Sequence, residues 1–184
     1  GLAVILSKDT VKQHIPGAHI NQADWTTSHK PQGRPLTNAS YGGNQPGNTP
    51  LNSVHTKLES DARYGNITHP TLNSIAAMVL EFWDECVQRD PQVEWDDLTL
   101  YKMDLKGAYT LLSFEPGDVR KMAVELSDNK VMFFICGVFG WTGTPAAFQV
   151  VTRGIVFELK HRVSGRADMY VDDVIGVALL RNVE

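Results

Sequence analysis

Asp172 and Asp173 stand side by side in Met169-Tyr-Val-Asp-Asp-Val174, between two runs of apolar and β-branched residues. Ala167 to Val171 and Val174 to Leu179 both have strand composition, and the Asp172-Asp173 step between them suits a tight hairpin turn that offers its side chains to one face. Two carboxylates so close repel each other unless a cation neutralises them. The usual partner for such oxygen ligands is a hard divalent ion, Mg²⁺ above all. Asp-Asp is also an ordinary turn dipeptide, so the pair alone leaves both readings open. Asp104 adds a third carboxylate: it ends the strand-like run Leu98-Thr-Leu-Tyr-Lys-Met103 and precedes a break at Gly107. Three carboxylates on two strand ends make a metal site, and sites of this kind that hold two ions clamp the attacking and leaving oxygens of an in-line phosphoryl displacement. A shared Mg²⁺ needs oxygens at about 2.0–2.1 Å, so Asp104 and Asp172 are expected to converge on one side of the sheet to within roughly 5 Å.

Three motifs in this chain resemble the palm of reverse transcriptases, in that family's order and spacing. Asp104-Leu-Lys-Gly-Ala-Tyr109 is similar to the first, Phe139-Gly-Trp-Thr-Gly-Thr-Pro-Ala-Ala-Phe-Gln149 to the second and Tyr170-Val-Asp-Asp173 to the third. Arg34-Pro-Leu-Thr-Asn-Ala-Ser40 resembles the family's fingers motif. The resemblance implies RNA-directed DNA polymerisation by a retroelement enzyme: the primer 3′-hydroxyl attacks the α-phosphorus of a deoxynucleoside triphosphate, with Asp104 and Asp172 bridging two Mg²⁺ ions (Mn²⁺ is possible) and Asp173 completing the catalytic set. It further implies that Arg34, with Lys30 beside it, reaches the triphosphate. Tyr109 would be the aromatic wall that excludes a 2′-hydroxyl, and Phe139, Gly140, Trp141 and Tyr170 would contact template or nucleotide. Read without the resemblance, Arg34 is a surface arginine in a Gly/Pro loop and Tyr109 a core aromatic.

The implied partners are an RNA or DNA template with its primer, dNTPs and the remainder of a larger polyprotein, since no thumb, primer grip or RNase H sequence follows the third motif; the truncated chain alone is expected to be inactive. Asn38 stands where the fingers motif usually has an acidic residue, and Val138 where many members have Pro. These departures support an alternative, a catalytically silent or decayed copy that keeps the fold as a metal- or partner-binding module.

The elements that must position these residues follow from composition and periodicity. Residues 1 to 70 are rich in Gly, Pro, Asn, Ser and Thr, as in Tyr41-Gly-Gly-Asn-Gln-Pro-Gly-Asn-Thr-Pro50, and read as loop with short strands at best. From Thr71 the apolar residues Leu72, Ile75, Ala76, Val79, Phe82 or Trp83, and Cys86 recur at helical spacing until Asp90-Pro91, which predicts a connecting core helix over 71–90. Lys121 to Leu126 and Lys130 to Cys136, joined by Ser127-Asp-Asn129, predict a hairpin. Thr144 as N-cap and Pro145 at the first helical position start a second helix whose stripe, Phe148, Val151, Ile155, Val156, Leu159 and Val163, would pack beneath the sheet of the aspartates.

The expected architecture is therefore α+β, a truncated right-hand polymerase. It has an irregular fingers-like segment with the connecting helix over 1–95, and over 96–184 a palm whose antiparallel sheet of about four strands is backed by two helices.

A net charge of −4 counts against strong phosphate binding, but it is uneven. Residues 1–70 carry six Lys or Arg against four Asp or Glu, and the rest carries eleven against seventeen. No apolar run is long enough to span a bilayer and no signal peptide is indicated, so an intracellular setting, cytoplasmic, nuclear or in a retroelement particle, is expected without membrane partners. Cys86 and Cys136 lie in apolar surroundings and read as buried free thiols.

Overall fold

Ser7 ends the first strand, β1 (Ala3–Ser7), and starts the first helix, α1 (Lys8–His14). Its hydroxyl accepts from the Thr10 N–H at 3.1 Å and so satisfies one of the donors that a helix start leaves open. Strands β2 (Ile20–Thr26) and β3 (Arg34–Asn38) and helices α2 (Leu51–Val54) and α3 (Lys57–Tyr64) follow. The expectation of loop and short strands over 1–70 is thus corrected, because three helices lie among the strands. α1 buries only Val11 and α3 only Ser60, so neither carries the apolar stripe that reveals a helix in sequence. This computed structural model describes residues 2–26, 34–40, 49–54, 57–162 and 164–180. Lys30 lies outside them.

α4 (Leu72–Arg89) is the connecting helix. Thr71 and Ser74 cap it reciprocally: the Ser74 N–H donates to the Thr71 hydroxyl at 3.1 Å and the Thr71 N–H to the Ser74 hydroxyl at 2.8 Å. Phe82 and Cys86 are buried, with Met78, Val79, Trp83 and Val87 against the same cluster. Leu72, expected on that face, is exposed, since the core begins a turn and a half later at Met78. Then come β4 (Leu98–Asp104), α5 (Pro116–Val119), β5 (Ala123–Leu126), β6 (Lys130–Phe134), α6 (Gly143–Arg162), β7 (Gly165–Tyr170) and β8 (Asp173–Leu179). α6 starts at Gly143, two residues before the expected first helical position, Pro145. The Thr144 hydroxyl lies buried in its first turn, without a hydrogen-bond partner among the described residues.

The fold is α+β, with two sheets among the described residues. One has five strands in the order β1-β6-β5-β2-β3, antiparallel except where β2 runs parallel to β5; the other has three, β4-β8-β7, all antiparallel. The expected single sheet of about four strands is corrected accordingly. The β5–β6 hairpin forms as expected, but it pairs with N-terminal strands, Ile20 against Ala123 and Ile5 against Met132, and does not join the sheet of the aspartates. Packing explains the choice: Val11 and the partly buried Leu6 and Ile20 find their apolar cover in Ala123, Val131 and Phe133 of that hairpin.

The chain forms two compact units, each built from two stretches: 1–66 with 107–147, and 67–106 with 148–184. In the second unit, side chains alternate along β8. Val177 and Leu179 meet Phe82 and Cys86 of α4, whereas Val174 meets Ile155, Val156 and Leu159 of α6. The three-stranded sheet therefore has a helix on each face. Both cysteines are buried, and no disulfide joins them among the described residues. Among the described residues no helix is long and apolar enough to cross a membrane.

Candidate metal centre

Asp104 is the last residue of β4 and Asp173 the first of β8, and the antiparallel register places them directly opposite one another. Asp172 occupies the turn between β7 and β8, and its carbonyl accepts from the Leu105 N–H at 2.8 Å, which ties the turn to the end of β4. One carboxylate oxygen from each of Asp104, Asp172 and Asp173 lies within 4.8 Å of the other two, so the expected convergence is present. Asp104 is exposed and the other two are half-buried. The turn itself sits one residue earlier than expected: Val171 and Asp172 form it, Tyr170 pairs with Asp173, and Val171 takes φ of 56°.

The sheet's alternation also decides which neighbours the cluster has. Leu98, Leu100, Lys102 and Asp104 point to one face, the face on which α4 covers Leu98, Val177 and Leu179 at the far end of the strands. The near end stays open. There Lys102, two residues before Asp104, puts its ammonium 2.8 Å from Asp173 Oδ2. The hydrogen bond and charge of Asp173 hold the lysine above its ordinary pKa, with Asp104 and Asp172 adding to the effect and slight desolvation opposing it. Like charges directly opposite on a sheet are destabilising, and this ammonium offsets them.

Three exposed or half-buried carboxylates with no sulfur or imidazole among them make a hard oxygen donor set, the set that suits Mg²⁺ or Mn²⁺. Tyr170, at the end of β7, is exposed and its ring lies 4.7 Å from that of His69.

The remaining expected site residues belong to the other unit. Tyr109 sits in the 3₁₀ turn Ala108–Leu111, its ring 4.9 Å from Phe139. The loop that carries Phe139 and Gly140 is bound to β3: the Thr37 N–H donates to the Phe139 carbonyl at 3.1 Å. Gly140 takes φ of +99°, and a Cβ there would come within 1.9 Å of the Thr37 carbonyl oxygen, so only glycine fits. Asn52 clasps the same loop, donating to the Gly140 carbonyl at 2.8 Å and accepting from the Thr142 N–H at 3.0 Å. Trp141, expected to contact substrate, is half-buried against the core cluster of Met122 and Val138, edge-on to Phe114. Arg34 opens β3 opposite Thr26; its side chain lies outside the described residues.

Lys102, Asn52 and His69 lie outside the sequence motifs. Only Lys102 had a signal, its spacing of two from Asp104 on a strand. Comparison with protein-family models and with curated proteins found no match in either.

Proposed function

We propose that this chain is the fingers and palm region of an RNA-directed DNA polymerase and that the cluster of Asp104, Asp172 and Asp173 is its nucleotidyl-transfer centre. The observation that carries the proposal is the convergence of the three carboxylates at the ends of two paired strands, at the positions where the sequence resembles the first and third palm motifs. Bound there, two Mg²⁺ ions would lower the pKa of the primer 3′-hydroxyl and balance the charge of the triphosphate. The chain's own part is position and charge. Asp104 and Asp173 present their carboxylates from facing strand ends, and the Leu105–Asp172 hydrogen bond fixes the third beside them. By the resemblance, Tyr109 shields the sugar site, and the loop of Phe139 and Gly140, held by Thr37 and Asn52, lies along the nascent base pair. Template, primer, dNTP and the rest of a polyprotein are the partners this reading requires.

The test is RNA-templated primer extension by the polypeptide that carries this segment, with Mg²⁺ present. Deoxynucleotides are expected to be incorporated and ribonucleotides excluded, and Tyr109→Val is expected to admit ribonucleotides while keeping deoxynucleotide incorporation. Absence of extension, with Mg²⁺ still bound at the cluster, would favour the silent metal-binding copy instead.

A further inference from the structure

Lys102 is placed by the strand rather than by chance of conformation. Residues two apart on β4 share a face, so the lysine stands beside Asp104 and diagonal to Asp173, and its ammonium reaches Asp173 Oδ2 at 2.8 Å. Its side chain is 64% exposed and ion-paired to Asp173, so that breaking the pair lets it swing into solvent. The three carboxylates it faces have oxygens within 4.8 Å of one another, a spacing at which uncompensated charges repel strongly. A dication held by these oxygens and an ammonium bonded to one of them would compete for the same lone pairs and repel each other.

We propose that Lys102 is the resident counter-ion of the carboxylate cluster: it holds Asp173 while no divalent cation is bound, must leave it when one binds, and so sets how tightly the cluster takes metal. The inference rests on the metal-centre reading above and adds to it the group that has to move. Lys102 is on this account a positioning residue, weakening metal binding and steadying the metal-free turn.

The experiment is Mn²⁺ binding to residues 1–184, followed by electron paramagnetic resonance, in the wild type and in Lys102→Gln, Lys102→Arg and Asp104→Asn. Exposed ion pairs shift an equilibrium by up to about five-fold, and the lost cation–cation repulsion acts in the same direction. Lys102→Gln is therefore expected to bind Mn²⁺ roughly three- to ten-fold more tightly, and Lys102→Arg to bind like the wild type. Melting adds a readout that packing would not move: Lys102→Gln is expected to melt below the wild type in EDTA and to lose that deficit at saturating Mg²⁺. If Asp104→Asn loses Mn²⁺ but Lys102→Gln binds no more tightly than the wild type, the counter-ion role is overturned and the metal centre stands. If the wild type and Asp104→Asn bind alike, the metal centre falls, and the role of Lys102 with it.

Discussion

Among the described residues two hairpins carry an aspartate in the turn, and they fit residue to backbone in opposite ways. Between β5 and β6 the chain reverses through Ser127, Asp128 and Asn129, and the two residues with left-handed φ, 60° and 58°, are Asp128 and Asn129. Asp and Asn tolerate that region better than other non-glycine residues. Between β7 and β8 the chain reverses through Val171 and Asp172, and the valine takes φ of 56°. A β-branched residue held there is strained by about 1–3 kcal/mol. An aspartate one position earlier would have fitted the turn better, but it would have moved the carboxylates out of register with Asp104. The first hairpin is built to turn; the second is built to place Asp172 and Asp173, and the turn bears the cost.

Removing one carboxylate from each turn gives the widest contrast. In the polypeptide that carries this segment, Asp172→Asn is expected to lower the single-turnover rate of primer extension by roughly 10³-fold or more, since charge stabilisation by held metal ions is worth several kcal/mol. Asp128→Asn, at an exposed turn, is expected to leave the rate within about two-fold. Equal losses would mean that the two acidic turns do not differ in function.

Divalent cations separate the hairpins next. With about 10 mM Mg²⁺ and a dissociation constant near 1 mM, binding adds ~1.4 kcal/mol of stability, and for a chain of this size that raises Tm by roughly 3–6 °C. Asp172→Asn is expected to remove most of this rise and to melt above the wild type in EDTA, because one repelling charge has gone. Asp128→Asn is expected to change neither measurement. The same rise in both variants would show that Mg²⁺ acts elsewhere.

Backbone strain makes a finer distinction. Val171→Gly relieves the strained turn at the entropic cost of a glycine, for a net gain of ~1 kcal/mol, whereas Asn129→Gly should stay within about 0.5 kcal/mol. Urea unfolding of the two variants measures the difference, and equal effects would mean that Val171 sits in its turn without strain.

The same contrast explains what could be read from sequence. The carboxylate cluster was legible because its residues lie at strand ends, where alternation and register leave few places for them to go. α4 was legible from its stripe, and α6 from its stripe, although α6 starts two residues before the expected Pro145. The partnership of the β5–β6 hairpin was not, because Ile20 against Ala123 is a pairing across 103 positions that no local pattern encodes. α1 escaped because one buried valine makes no stripe. Lys102 reads in sequence as one more strand residue, although the alternation that places Asp104 also places the lysine. Trp141 carries two signals at once: its motif suggests substrate, and it lies half-buried against Met122, Val138 and Phe114.

The smallest expected effect belongs to protons, and it falls on the unit of the first hairpin. His19 leads into β2, the strand parallel to β5, and its N–H donates to the Arg120 carbonyl at 2.9 Å. Burial disfavours its imidazolium and holds its pKa below the ordinary 6.5, with a hydrogen bond to Asn21 partly opposing. The sign follows from which state takes the proton first. As pH falls, the unfolded chain protonates at its ordinary pKa while folded His19 still resists. Its contribution to stability is therefore complete above about pH 6.5 and declines as pH falls towards the folded value, beyond which no more is lost. Hydrogen exchange, corrected for intrinsic rates, reads this locally. Between about pH 7 and 5.5, a range still above the ordinary carboxylate values, the β5–β6 amides should lose some protection in the wild type and less in His19→Gln. The β7–β8 amides should respond to Mg²⁺ instead and be indifferent to the histidine. If His19→Gln loses as much protection as the wild type, some group other than His19 carries the acid sensitivity of that sheet.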